Sequence, residues 1–201
     1  MDIKDLEKEL ALANERVKKG QAARESNAKR LDAFDRLAKA QRALAAAKGD
    51  EYAVPFDIGF VPEAAVSEPA FFQTERASLL TFSAMRQMPE WRREDAGYGL
   101  VEIIYCFAST FGAPGDEDLE RDPLYSKGLG AYGVYEIVNS SWKRALCEHG
   151  GLYFPGTPSP TQRHFVFTFH DSTFQCIASN LRGITIARPF ENVLAEVKKR
   201  W

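Results

Sequence analysis

The chain is short of the residues that mark common chemistries. It has three cysteines, Cys106, Cys147 and Cys176. No two stand at CxxC spacing, so neither a disulfide framework nor a paired-cysteine zinc site is expected. Reduced, buried thiols are the expectation, and a cytoplasmic setting goes with them. No apolar run approaches the roughly 20 residues of a membrane span. The opening MDIKDLEKEL lacks the apolar stretch of a signal peptide, so no membrane association is expected. Charge of one sign is also lacking: the net value is -2 at pH 7. That leaves no electrostatic reason to expect nucleic acid or an anionic membrane. GxxxxGK[ST], GxSxG and HExxH do not occur. Gly128, Gly130 and Gly133 precede a strand-like run, whereas a phosphate-binding loop opens a helix. No cofactor and no metal ion is expected.

Residues 1–48 contain no proline and a single glycine, Gly20, among many Ala, Lys, Arg, Glu and Leu. That is the composition of a helix. Ile3, Leu6, Leu10, Ala13 and Val17 recur at coiled-coil spacing. The count then meets Gly20, Arg24 and Asn27, and recovers at Leu31, Phe34 and Ala38. One reading is a continuous long helix; the other is a hairpin broken near Gly20–Asn27. The absence of proline favours the long helix. Its apolar stripe needs covering by another copy, another protein or the chain's own domain. Self-association or a protein partner through residues 1–48 is expected.

Residues 49–77 carry Pro55, Pro62 and Pro69 with Tyr52, Phe56, Phe60, Phe71 and Phe72. They read as an irregular connector that packs by its aromatics, with a short helix possible near Glu63–Val66. Residues 78–201 follow as the main domain. Strands are expected at Ser78–Met85, Gly99–Thr110, Tyr132–Val138 and Ile184–Ala187. A long charged connection, MRQMPEWRREDAGYG, separates the first two and contains Trp91, expected to pack. Asn139 or Ser140 should cap a short helix through Glu148. A Pro-rich loop, FPGTPSPTQ, follows it. Phe190, Val193, Leu194, Val197 and Trp201 repeat at helical spacing and predict a closing amphipathic helix.

The strongest signal is HFVFTFHDSTFQCIA, His164 to Ala178. Two β-prone runs flank the turn formers Asp171 and Ser172. Pairing Phe169 with Phe174 puts Phe165, Phe167, Phe169, Phe174, Cys176 and Ala178 on one face, the expected core. His164, Val166, Thr168, His170, Thr173, Gln175 and Ile177 take the other face, open to ligand or solvent. The whole predicts an α+β protein: an N-terminal long helix or coiled-coil arm, then a curved antiparallel sheet or partly closed β-barrel with a short inserted helix and a C-terminal amphipathic helix.

Candidate site residues follow from chemistry. His170 beside Asp171 suits a general base oriented by a carboxylate. Arg92 and Arg93 suit an anion, because guanidinium groups bond carboxylate or phosphate in pairs. His164 shares the ligand-facing side of the hairpin. Glu102 and Glu136 are charges inside apolar strands, so each faces water or needs a cation such as Arg92, Arg93, Arg144 or Arg163. The acidic run Asp116, Glu117, Asp118 and Glu120 lacks a calcium-loop pattern and reads as a solvated loop. Cys147 and His149, two apart on a helix, point in different directions. Three functions fit: a non-catalytic binding module, a small hydrolase or lyase using His170 and Asp171 with Arg92 and Arg93, or a subunit of a larger assembly.

Overall fold

A computed structural model describes residues 2–23, 25–89, 92–151 and 161–200. Trp91, Trp201 and most of the Pro-rich loop lie outside the described residues. In chain order the elements are α1 (Ile3–Ala22), α2 (Asn27–Lys48), β1 (Tyr52–Pro55), β2 (Val61–Pro62), β3 (Ala70–Gln73), β4 (Ser78–Gln87), β5 (Arg93–Ile104), β6 (Ala108–Gly112), β7 (Val134–Val138), α3 (Ser141–Gly151), β8 (Arg163–Thr168), β9 (Thr173–Ala178), β10 (Asn180–Ile186) and α4 (Phe190–Arg200). Two 3-10 turns, Leu119–Arg121 and Tyr125–Lys127, precede β7. Among the described residues no helix is long and apolar enough to cross a membrane.

All strand pairing is antiparallel, in two sheets. One has the order β1-β7-β8-β9-β6. The other has the order β10-β5-β4-β2, with β3 also on β4. They pack face to face over a phenylalanine-rich core. Phe82 of β4 meets Phe167 and Phe169 at ring-centroid distances of 6.0 and 5.3 Å, and Phe71 of β3 meets Phe174 at 4.7 Å. Each fully buried phenylalanine contributes roughly 1.5–3 kcal/mol of transfer free energy. The sheets join along one side, where β5 passes into β6 and β9 into β10. There Phe107 N–H donates to the Ile177 carbonyl and Ser179 N–H to the Ile104 carbonyl. They do not close into a barrel. Gly99–Thr110, expected as one strand, is therefore two strands in different sheets, divided at Tyr105, whose φ is +51°.

The hairpin of β8 and β9 pairs Phe167 with Phe174 and Phe165 with Cys176. The register is displaced by two residues from the expected one, because Phe169 belongs to the turn and donates its N–H to the Ser172 carbonyl. An even displacement leaves every side chain on its expected face. All six expected core residues are in the inter-sheet core. The opposite face is buried too, with His164 4%, Val166 1% and Thr168 1% exposed. It is not the open ligand face anticipated. The helices and 3-10 turns cover it, Trp142 of α3 lying edge-on to His164 at 5.0 Å.

The arm is a hairpin of two helices, not one long helix. The apolar seam of α1 is covered by α2: Leu6, Gly20, Ala33 and Ala40 are buried. Glu25, in the connection, pairs with Arg16 at 2.7 Å, and Lys48 reaches Glu7 at 3.1 Å. Alanines at the contact let the helices approach closely, so part of the stripe is covered within the chain, while Ile3, Leu31 and Phe34 stay exposed. Helix α2 in turn packs on β1 and on the turn Tyr125–Lys127. The segment expected as an irregular connector supplies β1, β2 and β3 to the two sheets, and no helix forms at Glu63–Val66. The charged connection after β4 is shorter than anticipated: Met85, Arg86 and Gln87 pair with Asp95, Glu94 and Arg93. On the outer face of the second sheet, Val193 and Val197 of α4 pack with Leu79, Tyr98 and Leu100.

Candidate functional site

Three loops meet at the turn between β8 and β9. Asp116 N–H donates to the His170 carbonyl at 2.8 Å, and Thr173 Oγ1 donates to the Pro114 carbonyl at 2.8 Å. These bonds press residues 114–116 against the turn. A second loop, 128–133, is held by the buried Thr168 hydroxyl, which donates to the Gly130 carbonyl at 2.8 Å and accepts from Gly133 N–H at 3.0 Å.

The side chains of His170, Asp116 and Tyr132 converge there. His170 Nδ1 is 3.2 Å from Asp116 Oδ2, and the Tyr132 hydroxyl donates to the same carboxylate oxygen. The Nδ1–H therefore faces the carboxylate and leaves Nε2 as the proton acceptor. Tyr132 is held at φ +56°, a conformation costly for a bulky residue. The Asp116 bond raises His170 above the ordinary histidine value. The Tyr132 hydroxyl bond holds Asp116 low, and burial together with Asp116 pushes the Tyr132 phenol up to about 12. The orienting carboxylate is thus Asp116, from the loop expected to be solvated. Asp171 is 94% exposed, with its Oδ1 3.9 Å from His170 Nε2.

Asp116 also lines one end of a cleft of about 480 Å³ between α2 and the outer face of the first sheet. Leu31, Phe34, Leu119, Leu129, Tyr125 and Tyr135 supply most of its apolar wall. The glycines of the 128–133 loop, spaced as GxGxxG, shape it without forming a phosphate loop. A Cβ on Gly128 would lie 2.5 Å from Cγ of Arg42, and one on Gly133 would lie 2.6 Å from the Tyr135 ring. Their absent side chains make room for the Arg42 stem and the Tyr135 ring. Burial raises the Tyr135 phenol, while a Gly130 backbone hydrogen bond and the charges of Arg42 and Arg93 pull the other way.

The other sequence candidates sit elsewhere or are structural. Arg93 opens β5 and donates from Nε to Gln87 Oε1 at 3.4 Å; Arg92 is an exposed turn residue. Glu136 forms a paired ion contact with Arg163, whose guanidinium stacks 4.8 Å over Phe56. Glu102 faces Arg182, its direct neighbour across β5 and β10, at 3.3 Å. His164 is held between Ser140 Oγ at 2.8 Å and Gln175 Oε1 at 3.0 Å, and burial lowers its pKa to about 4. Ser140 also caps α3, accepting from Lys143 N–H at 3.0 Å. Among the described residues no three His, Cys, Asp or Glu side chains gather as a metal site. Asp116, Tyr132 and Arg42 were missed, since only tertiary contact brings Asp116 and Tyr132 to His170 and Arg42 to the cleft. Compared with protein-family models, curated proteins and solved structures, the chain matches none.

Proposed function

We propose that the protein is a non-catalytic binding module whose recognition site is the cleft between α2 and the first sheet. One observation carries this reading: folding leaves a concave, mostly apolar wall in which Leu31 and Phe34 remain 39% and 38% exposed. Small-ligand sites have this character, with apolar walls and a few polar groups in volumes of about 300–1,000 Å³. The reading moves recognition from the sheet's hairpin face, which is covered, to the groove that the arm builds. A cytoplasmic setting is part of the same proposal. The test is an NMR screen of the full chain with a small-fragment library. Amide shifts clustering at residues 31–42 and 125–135 support the proposal. Shifts elsewhere, or none, overturn it.

A second reading, acid–base catalysis by a hydrolase or lyase, draws on the convergence of three loops at His170. Nε2 would take the proton and Asp116 would orient the ring. Turnover of simple ester or lactone substrates, lost in His170→Ala at unchanged melting temperature, would favour it. A protein partner for residues 1–48, or a place in a larger assembly, would use the outward face of α1. There Leu12 is 72% exposed beside Glu9, Arg16 and Arg36.

A further inference from the structure

Arg42 stands out among the charges that line the cleft. Each carboxylate there already has a partner on its own side. Asp35 pairs with Lys39 at 2.6 Å, Asp116 with Tyr132 and His170, and Glu120 bonds the Tyr125 phenol. Arg42 is half-buried, with its stem laid over Gly128. Among the described residues it has no ion pair and no hydrogen bond. Gln41, also in the cleft lining, likewise has none. Among the described residues Arg42 is therefore the cation in the cleft lining that no carboxylate neutralises, which leaves its guanidinium fork available to an anion.

Resting on the cleft being the recognition site, we infer that its ligand is a small apolar molecule bearing a carboxylate. The apolar part lies against Leu31, Phe34 and Leu129. The carboxylate sits on Arg42, in the two-pronged geometry that a guanidinium offers, with the Gln41 amide as a further donor. An amine of the same length would place one cation against another and leave Arg42 unsatisfied.

Octanoate, octanol and octylammonium separate the possibilities, titrated into the full chain by calorimetry with NMR mapping. Octanoate is expected to bind in the cleft more tightly than octanol, with octylammonium weakest. Arg42→Met keeps the stem over Gly128 and removes the charge. It should weaken octanoate about tenfold or more, the worth of a charged hydrogen bond, and leave octanol unchanged. Arg42→Lys should recover part of the loss, and melting curves of both variants report whether the fold survives. Octanol binding as tightly as octanoate, or octylammonium binding tightest, overturns the carboxylate assignment while leaving the cleft a binding site. Binding of none of the three, together with an empty fragment screen, overturns both.

Discussion

His170 Nδ1 stands 3.2 Å from Oδ2 of Asp116, a residue 54 positions earlier, while its sequence neighbour Asp171 points into water. The pair joins the loop before the first 3-10 turn to the tip of the central hairpin.

Replacing Asp116 with Asn should return His170 toward the ordinary value of 6.5. The sign of the stability effect follows. A histidine whose folded pKa is raised stabilises the fold below its unfolded pKa, and that contribution disappears as pH rises through the folded value. Asp116 is held low, so its contribution is present above the ordinary carboxylate range and lost on acidification. The deficit of Asp116→Asn should therefore be largest between about pH 4 and 6.5. NMR titration of the His170 ring and urea unfolding across that range test both parts; an unchanged His170 titration refutes the pairing.

His164 behaves in the opposite sense. Burial lowers its pKa to about 4, so folding favours the neutral ring. Stability from this residue is full above the unfolded value near 6.5 and declines as pH falls toward about 4. Across that window it amounts to something on the order of 3 kcal/mol. Urea unfolding at several pH values should show the decline in the native chain. His164→Gln loses stability near neutrality, where it disturbs the Ser140 and Gln175 bonds, but should show a flatter acid slope. An identical slope in the two proteins places the acid sensitivity elsewhere.

Much of this fold was legible because local pattern and tertiary outcome agree. Period-two alternation in residues 164–178 gave the core face correctly even where the register was two residues off, since parity survives an even displacement. The division of Gly99–Thr110 was hidden, because the apolar run continues through Tyr105 and Cys106 while the backbone changes sheet. The arm was hard for a related reason. Gly20 signals a break only weakly, and what decides between one helix and two is the tertiary contact that buries Ala33 and Ala40. The candidate site was half legible: His170 carried a sequence signal, but its partners Asp116 and Tyr132 came from an acidic run and a glycine-rich loop with ordinary local readings.

Two glycines and one ring test the packing of the second sheet. A Cβ on Gly99 would lie 2.3 Å from Cε2 of Phe60, and one on Gly183 would lie 2.8 Å from its Cε1. The Phe60 ring rests on both strands because neither has a side chain at that point. Gly99→Ala should cost about 1–3 kcal/mol through overpacking. In a Phe60→Leu background the added methyl meets less, so the same substitution should cost measurably less, a coupling read from a double-mutant cycle. Equal costs in both backgrounds would mean that Phe60 is not what excludes the Cβ.

The arm and the cleft should be energetically linked. Helix α1 covers α2, and α2 forms one wall of the cleft. Leu6 is 5% exposed against α2. Leu6→Ala removes buried apolar volume at a cost of about 2–5 kcal/mol where the site cannot collapse, and less near a helix end. The loss should appear as faster amide exchange in α1 and α2, with the protection of β8 and β9 retained, because the inter-sheet core does not use the arm. A loosened α2 is a poorer wall, so octanoate binding should weaken in Leu6→Ala although Leu6 does not line the cleft. Unchanged affinity with faster exchange in the arm would show that α2 holds its place on the sheet without α1, and would leave the outward face of α1 as the part of the arm open to a partner.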